Sequence, residues 1–302
     1  MELNGVHIED TFAEAFPMAG TRLIITAETA AWAMTAATTM TGFATSVIAC
    51  GCEAGIEGPL EPTETPDGRP GVAVLLFSFS NDMIKQQLTN RVGQCVLTCP
   101  TTACFSGLDG ETRVPLGDGM RYFGDGFQIA KQLATRRFWR VPVMDGEFVI
   151  EDQVGVAPGI GGGNFLIMAT DRSAALAAAE AAIKAMRGVA GVIMPFPGGI
   201  VRSGSKVGSK YKALPASTND AYCPTIRGQT KTALPPEVEA VLEIVIDGFS
   251  EAAIDEATIV GIKAACAGGR AAGVVGITAG NYGGKLGPYH FHLHKLLREA
   301  GQ

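Results

Sequence analysis

The sequence predicts an α+β protein of two similar lobes, residues 1–145 and 146–302, with helices packed on mostly antiparallel sheets. Two observations carry this. Short β-rich runs alternate with helical stretches, giving strand–helix–strand units with extra strands between them, and the pattern restarts after an Asp145-Gly146 turn. At 302 residues the chain also exceeds the ~150 typical of a single domain, so two cores are expected.

In the first lobe Arg22 to Thr26 reads as a strand, Ala30 to Met40 as an Ala-rich helix and Phe43 to Ala49 as a second strand. A Pro/Gly-rich loop is expected from Gly55 to Gly71. The apolar run to Phe79 is a third strand, and Asn81 is placed as the cap of a helix over Asp82 to Val92. Cys95 to Thr98 reads as a strand, and the Gly-rich stretch Phe105 to Asp118 is weakly patterned. A hairpin turns at Asp145-Gly146 within Val141 to Ile150.

The second lobe holds two similar units. One runs from Asn164–Ala169 through a helix capped at Ser173 and ending at Met186 to a strand at Gly191–Met194. The other runs from Leu242–Ile246 through a helix capped at Ser250 and ending at Ala267 to Val274–Thr278. The phrases Gly-Gly-Asn164-Phe and Ala-Gly-Asn281-Tyr echo each other around them. Such units suit split βαβ, ferredoxin-like lobes better than one doubly wound sheet.

Composition excludes several classes of function. Hydrophobic residues make up 47% and charged residues 18% of the chain, ample for a core and unlike a disordered chain. A net charge of −6 gives no footprint for nucleic acid or an anionic membrane. The longest strictly apolar runs, such as Val72 to Phe77, are strand-sized, well below the ~20 residues of a spanning helix. The acidic start carries no basic region before an apolar stretch, so a cytoplasmic protein is expected. The seven cysteines contain no C-x-x-C pair and read as reduced, mostly buried thiols.

Generic motifs fail on inspection. Gly199 to Lys206 has four residues between its glycines but lacks the ending of a phosphate loop, and Gly159 to Gly163 precedes a strand rather than opening a helix. His290, His292 and His294 alternate, which fits either a metal site or a polar strand face. In Val241 to Asp247 one strand face carries Val241, Glu243, Val245 and Asp247. A carboxyl between two valines is either solvated at an edge or desolvated into a proton donor near neutral pH. The long segment Pro195 to Pro224, dense in small and polar residues, reads as a functional loop.

These stretches also carry a resemblance. Glu9 to Phe16, Thr41 to Ile48, Glu64 to Gly71, Gly162 to Phe165, Pro195 to Val201, Ser205 to Lys210, Leu214 to Pro224 and Ala279 to Gly287 resemble the formylmethanofuran:tetrahydromethanopterin formyltransferase family across almost the whole chain. Departures lie at 105–121 and 226–238. The cysteines at 50, 52, 95 and 99 look more like bacterial members, one of which is a subunit of a formyltransferase/hydrolase complex.

The resemblance implies a homo-oligomer with its cleft at a subunit interface, with a tetrahydromethanopterin and a methanofuran-type amine as substrates and no metal or bound cofactor. It places the reaction's acid on Glu243. Polarity and placement add Lys206, Asn219, Asp220 and Tyr222 for the pterin amide edge, Asn281 and Lys285 for an anionic tail, and Arg69 for a carboxylate. Cys223 is the candidate nucleophile of a covalent route. Two rival classes are a scaffold subunit whose partners do the chemistry and a zinc hydrolase built on the three histidines.

Overall fold

The computed structural model describes residues 1–301. Its frame is a pair of long strands, Phe12–Thr26 and Gln153–Ala169, which run antiparallel from Ala157↔Gly20 to Gly161↔Phe16. Both are longer than this shared stretch and therefore gather further partners. Phe12–Thr26 continues into pairing with Gly71–Ser78 and Ala103–Ser106. Gln153–Ala169 continues into pairing with Ala240–Gly248 and Val274–Thr278. Gly146–Glu151 on Ala103–Ser106 and Val274–Thr278 on Val6–Ile8 run parallel within this large sheet, which is otherwise antiparallel. The expected α+β class is what is observed.

Apolar residues collect in two large clusters, each a sheet face covered by helices. In the first, Leu23, Val74 and Leu76 meet Ala33, Ala37 and Met40 of the helix Ala30–Thr41 and Ile84 and Leu88 of the helix Asn81–Arg91. In the second, Phe165, Ile167, Ile244 and Ile246 meet the helices Arg172–Met186 and Glu251–Ala265. The buried stripe Ala175, Ala178, Ala179, Ala182 has helical spacing and small side chains, which lets its helix lie close to the sheet. One strand serves both cores: Val154 and Val156 belong to the first, Ile160 and Phe165 to the second. Burying each such aliphatic or aromatic side chain contributes about 1.5–3 kcal/mol.

Several local expectations are corrected. Phe43 to Ala49 is no strand: Phe43 takes a left-handed φ of 51°, and a short helix Val47–Cys50 ends on Gly51 at φ 77°. The expected loop from Gly55 begins instead as the strand Glu53–Leu60, paired with Gly71–Ser78. Cys95 to Thr98 is not extended, because Val92–Val96 prolongs the preceding helix with a wider, π-type turn. Ser80 rather than Asn81 and Asp171 rather than Ser173 cap their helices, their side chains accepting from Met83 N and Ala174 N; Ser250 caps as expected. The strand expected at Gly191–Met194 is only Val192–Ile193.

The three histidines do not share a face. His290 and His292 lie on the strand Tyr289–His292, but His294 sits in the following helix Leu293–Glu299. Its Nε2 lies 2.8 Å from the Ile8 carbonyl, and its Nδ1 lies 3.3 Å from the Asp10 carboxylate. The alternation that suggested a metal site is therefore interrupted by a helix start. No helix among the described residues is long and apolar enough to cross a membrane.

Candidate active site

A cleft of about 560 Å³ opens where the two long strands meet Ala240–Gly248 and the loops around residues 205–222 and 279–286. The pairing of Gln153–Ala169 with Ala240–Gly248 shifts register between Ile160↔Gly248 and Gly163↔Ile246, leaving one extra residue on the first strand. That bulge places Gly161 and Gly162 in the cleft wall. Both positions favour glycine. A Cβ at Gly161 would sit 2.1 Å from the Met18 sulfur, and Gly162 adopts φ 93°.

Glu243 lines this cleft. Its backbone is fixed on both sides, by Leu166 within the sheet and by Val201, whose N–H donates to the Glu243 carbonyl at 2.7 Å and whose carbonyl accepts from Glu243 N at 2.9 Å. The residue is half-buried, and desolvation of the carboxyl raises it from 4.5 to about 7. A strand-held acid protonated near neutral pH is thus in place.

Glu14 is a second carboxyl of the same cleft with the opposite character. Burial alone would raise it, but backbone N–H groups of Tyr282, Gly284, Leu286 and Gly287 donate to its two oxygens at 2.6 to 2.9 Å and hold it at about 2. It is 1% exposed, and all four of these donors come from this one loop. Glu14 is therefore the ionised core around which residues 282–287 fold. Gly287 must be glycine to pass, since a Cβ there would lie 2.2 Å from the Ala15 carbonyl.

A third acidic feature is a pair. Asp247, fully buried, accepts from Gly162 N at 3.1 Å and lies beside the Glu53 carboxyl, which in turn accepts from Val47 N at 2.9 Å. Desolvation and the neighbouring Glu53 push Asp247 well above the usual carboxylate range. Glu53 lines the cleft itself.

The sequence-predicted site residues divide. Glu243, Lys206, Asn219, Tyr222 and Asn281 all line the one cleft. Asp220 stands just behind, paired with Lys206 Nζ at 2.5 Å, which lowers its carboxyl. Asn281 spends its amide on the protein: it donates to Thr11 Oγ1 and the Phe12 carbonyl and accepts from Gly283 N. Lys285 is exposed on the Glu14 loop and does not line the cleft. Arg69 is remote. It donates to Asp67, the Thr101 carbonyl and Thr26 Oγ1, and Thr26 lies eight residues along its strand from Met18 in the cleft, roughly 26 Å at ~3.3 Å per residue. Cys223 Sγ lies 3.3 Å from both Thr218 Oγ1 and the Asn219 carbonyl, outside the lining.

Sequence reading missed Glu14, Glu53 and the burial of Asp247. A signal existed for two of them: Glu14 stands alone between alanines and phenylalanines, and Asp247 shares the strand face of Glu243. The echoed glycine phrases do meet: Asn164 Nδ2 donates to the Gly280 carbonyl at 3.1 Å, and Gly280 N donates to Asn164 Oδ1 at 2.6 Å.

Comparison with known proteins adds the family. The model of formylmethanofuran-tetrahydromethanopterin formyltransferase matches residues 1–143, and that of the proximal lobe of the same family matches 146–296. A formylmethanofuran–tetrahydromethanopterin formyltransferase of Methylococcus capsulatus is 62% identical over 98% of this chain and 100% of its own length. The structure of the formyltransferase/hydrolase complex from Methylorubrum extorquens in complex with methylofuran contains a chain 56% identical, with a TM-score of 0.96 over 98% of both chains. The Methanosarcina barkeri formyltransferase superposes with a TM-score of 0.93 at 51% identity, over 98% of this chain and 100% of its own. The chain that folds around these three carboxyl environments therefore belongs to the formylmethanofuran–tetrahydromethanopterin formyltransferase family.

Proposed function

We propose that this chain is a formyltransferase of one-carbon metabolism that moves a formyl group between a tetrahydromethanopterin and a methanofuran-type amine, with Glu243 as its general acid. The observation that carries the residue assignment is a cleft-lining carboxyl whose desolvation sets it at about 7. Relatives at 52–62% identity bear the transferase name, which supports the reaction.

The acceptor nitrogen attacks the formyl carbon, forming the new C–N bond as the carbonyl π pair moves to oxygen. Protonated Glu243 stabilises that oxygen by donating a hydrogen bond. On collapse the C=O is restored, the old C–N bond breaks, and Glu243 gives its proton to the leaving nitrogen. The proton released by the attacking nitrogen returns Glu243 to its acid form. Holding both carriers in one cleft supplies much of the remaining rate, up to roughly 7–11 kcal/mol of barrier at the limit. Lys206, Asn219 and Tyr222 form the polar rim that holds the carriers, with Asp220 orienting Lys206. Asn281 acts by shaping its loop, and Lys285 meets the anionic tail from outside the cleft.

Several finer points belong to the same reading. The two apolar clusters support two ferredoxin-like lobes, and the family models meet between residues 143 and 146. Cleft residues Ile48, Phe79 and Leu286 are 73%, 54% and 56% exposed, which supports a cleft completed by a second copy of the chain. The complex of the Methylorubrum extorquens relative supports a hydrolase partner.

Formyl transfer by the purified chain, followed with both carriers and no other subunit, tests the reading. Turnover insensitive to chelators is expected. Its absence until hydrolase subunits are added would favour the scaffold role, and its loss on chelation the metal hydrolase.

A further inference from the structure

No cysteine takes part in the reaction described above, yet two of them flank one turn. The short helix Val47–Cys50 ends on Gly51 at φ 77°, and Cys52 follows at once. Two residues span at most ~7 Å when fully extended. The left-handed turn at Gly51 is tighter than that, so the two Cα atoms fall within the roughly 4.4–6.8 Å that a disulfide bridges. Cys50 is half-buried and Cys52 is buried. Cys50 Sγ lies 3.9 Å from Thr45 Oγ1, while Cys52 Sγ donates to Gln87 Oε1 at 3.5 Å.

A cation is built in beside them. Arg91 donates from Nε to Gln87 Oε1 at 3.0 Å, from Nη1 to the Met40 and Gly42 carbonyls and from Nη2 to the Phe43 carbonyl. Each of these acceptors is neutral, and no ion pair among the described residues includes Arg91. Its charge is felt by both thiols. Burial alone would raise Cys50, but hydrogen bonds from the backbone of Ser46 and Thr45, the Thr45 hydroxyl and the Arg91 charge hold it below the usual thiol range. Burial pushes Cys52 up to about 11 against the pull of Arg91, and the Cys50 charge adds to the rise. A partly exposed thiol held toward its thiolate, next to a buried one, is the arrangement of an attacking and a resolving sulfur. The same short helix carries Val47 and Ile48 into the cleft wall, where Val47 N donates to Glu53.

We propose that Cys50 and Cys52 are a site of reversible oxidation by small disulfides, and that closing their bond pulls the helix Val47–Cys50 out of the cleft wall. The Cys50 thiolate attacks one sulfur of the small disulfide, forming a mixed disulfide as the other half leaves as a thiolate. That step removes the negative charge that held the Cys52 proton in place. Cys52 then attacks the Cys50 sulfur, expels the second half and passes its proton to it. Two protein thiols are oxidised, and one small disulfide is reduced to two thiols. The bond draws the sulfurs away from Thr45 and Gln87 toward each other. It costs the last turn of the helix, held by Cys50 N on the Ser46 carbonyl at 2.8 Å and Gly51 N on the Val47 carbonyl at 3.0 Å.

The test is exposure of the full chain to oxidised glutathione, followed by alkylation of the remaining thiols and peptide mapping by mass spectrometry. Thiol mapping needs no substrate, so its outcome is separable from failure of the transferase reading. Cys50 is expected to react roughly tenfold faster than any other thiol and to end in a bond to Cys52 that dithiothreitol reverses. Cys52→Ser is expected to stop at glutathione on Cys50, and Cys50→Ser to leave Cys52 unmodified. On oxidation of the parent chain, hydrogen exchange at the Val47 to Gly51 amides is expected to rise roughly tenfold, and formyl transfer to fall roughly tenfold. Glutathione settling first on another cysteine would overturn the site without any variant having to fold. A Cys50–Cys52 bond that leaves this exchange unchanged, or leaves a working transferase at full rate, would overturn the effect on the cleft.

Discussion

Glu243→Gln is expected to lower kcat by about 10²- to 10⁴-fold, the usual worth of a general acid, while leaving KM for both carriers within a few-fold. The amide keeps the shape and the hydrogen-bonding edge of the side chain but cannot deliver a proton. The same variant is expected to be more stable than the parent at alkaline pH. Because the folded carboxyl is raised from 4.5 to about 7, its favourable contribution is complete below 4.5 and is lost as pH rises through about 7. Glutamine carries no such charge to desolvate, so denaturant unfolding at pH 8 should show a gain of about 1–3 kcal/mol. Lower activity with higher stability is the signature of a functional carboxyl held against its preference. A variant that is both slow and unstable would point to a structural role instead.

The second large effect belongs to Glu14. Removing its carboxylate by Glu14→Ala strips four backbone N–H groups of the 282–287 loop of their acceptor. At about 1–3 kcal/mol for each buried donor left unmade, partly relieved by water, a total loss of about 3–5 kcal/mol is expected. Turnover should fall with it, since residues 279–282 and 286 line the cleft. The pH dependence has a fixed sign. Glu14 is lowered from 4.5 to about 2, so its contribution is fully present above 4.5 and disappears as pH falls from there toward 2. Urea unfolding of parent and variant at pH 7 and pH 3 checks this: the difference should shrink at the lower pH. A loss under 1 kcal/mol at pH 7 would contradict the account of the loop.

Much of the frame was legible because it rests on patterns the physics repeats. The apolar run Val72 to Phe77 and the alternation through Val241 to Asp247 both became strands, and the alanine stripe ending at Met186 became a helix. What failed were short segments decided by single backbone angles. Phe43 to Ala49 has strand-like residues, but a left-handed Phe43 breaks it before pairing can form. Lengths were also underread: Arg22 to Thr26 is the end of a strand that starts at Phe12, because the Phe-Ala-Glu-Ala-Phe start hides its pattern behind alanines and a buried acid.

The site was half legible for a related reason. Glu243 was legible as a carboxyl between valines that is either solvated or desolvated, and the family resemblance, not the pattern, chose between the two. Glu14 and Glu53 meet their partners at long range, the one through a loop some 270 residues away in sequence, the other through Asp247. No local pattern encodes such meetings. Arg69 shows the converse, since a conspicuous charge in a Pro/Gly-rich turn proved to be tying that turn to Thr26 and Thr101.

The most direct test of the central claim is the pH profile of kcat in the direction where the tetrahydropterin nitrogen attacks. With Glu243 as the acid, kcat is flat at acidic pH and falls about tenfold per unit above pH 7, and the fall is absent in Glu243→Gln. A profile that rises through pH 7, or one that stays flat from pH 5 to 9 in the parent chain, would contradict a protonated Glu243 as the group that carries formyl transfer.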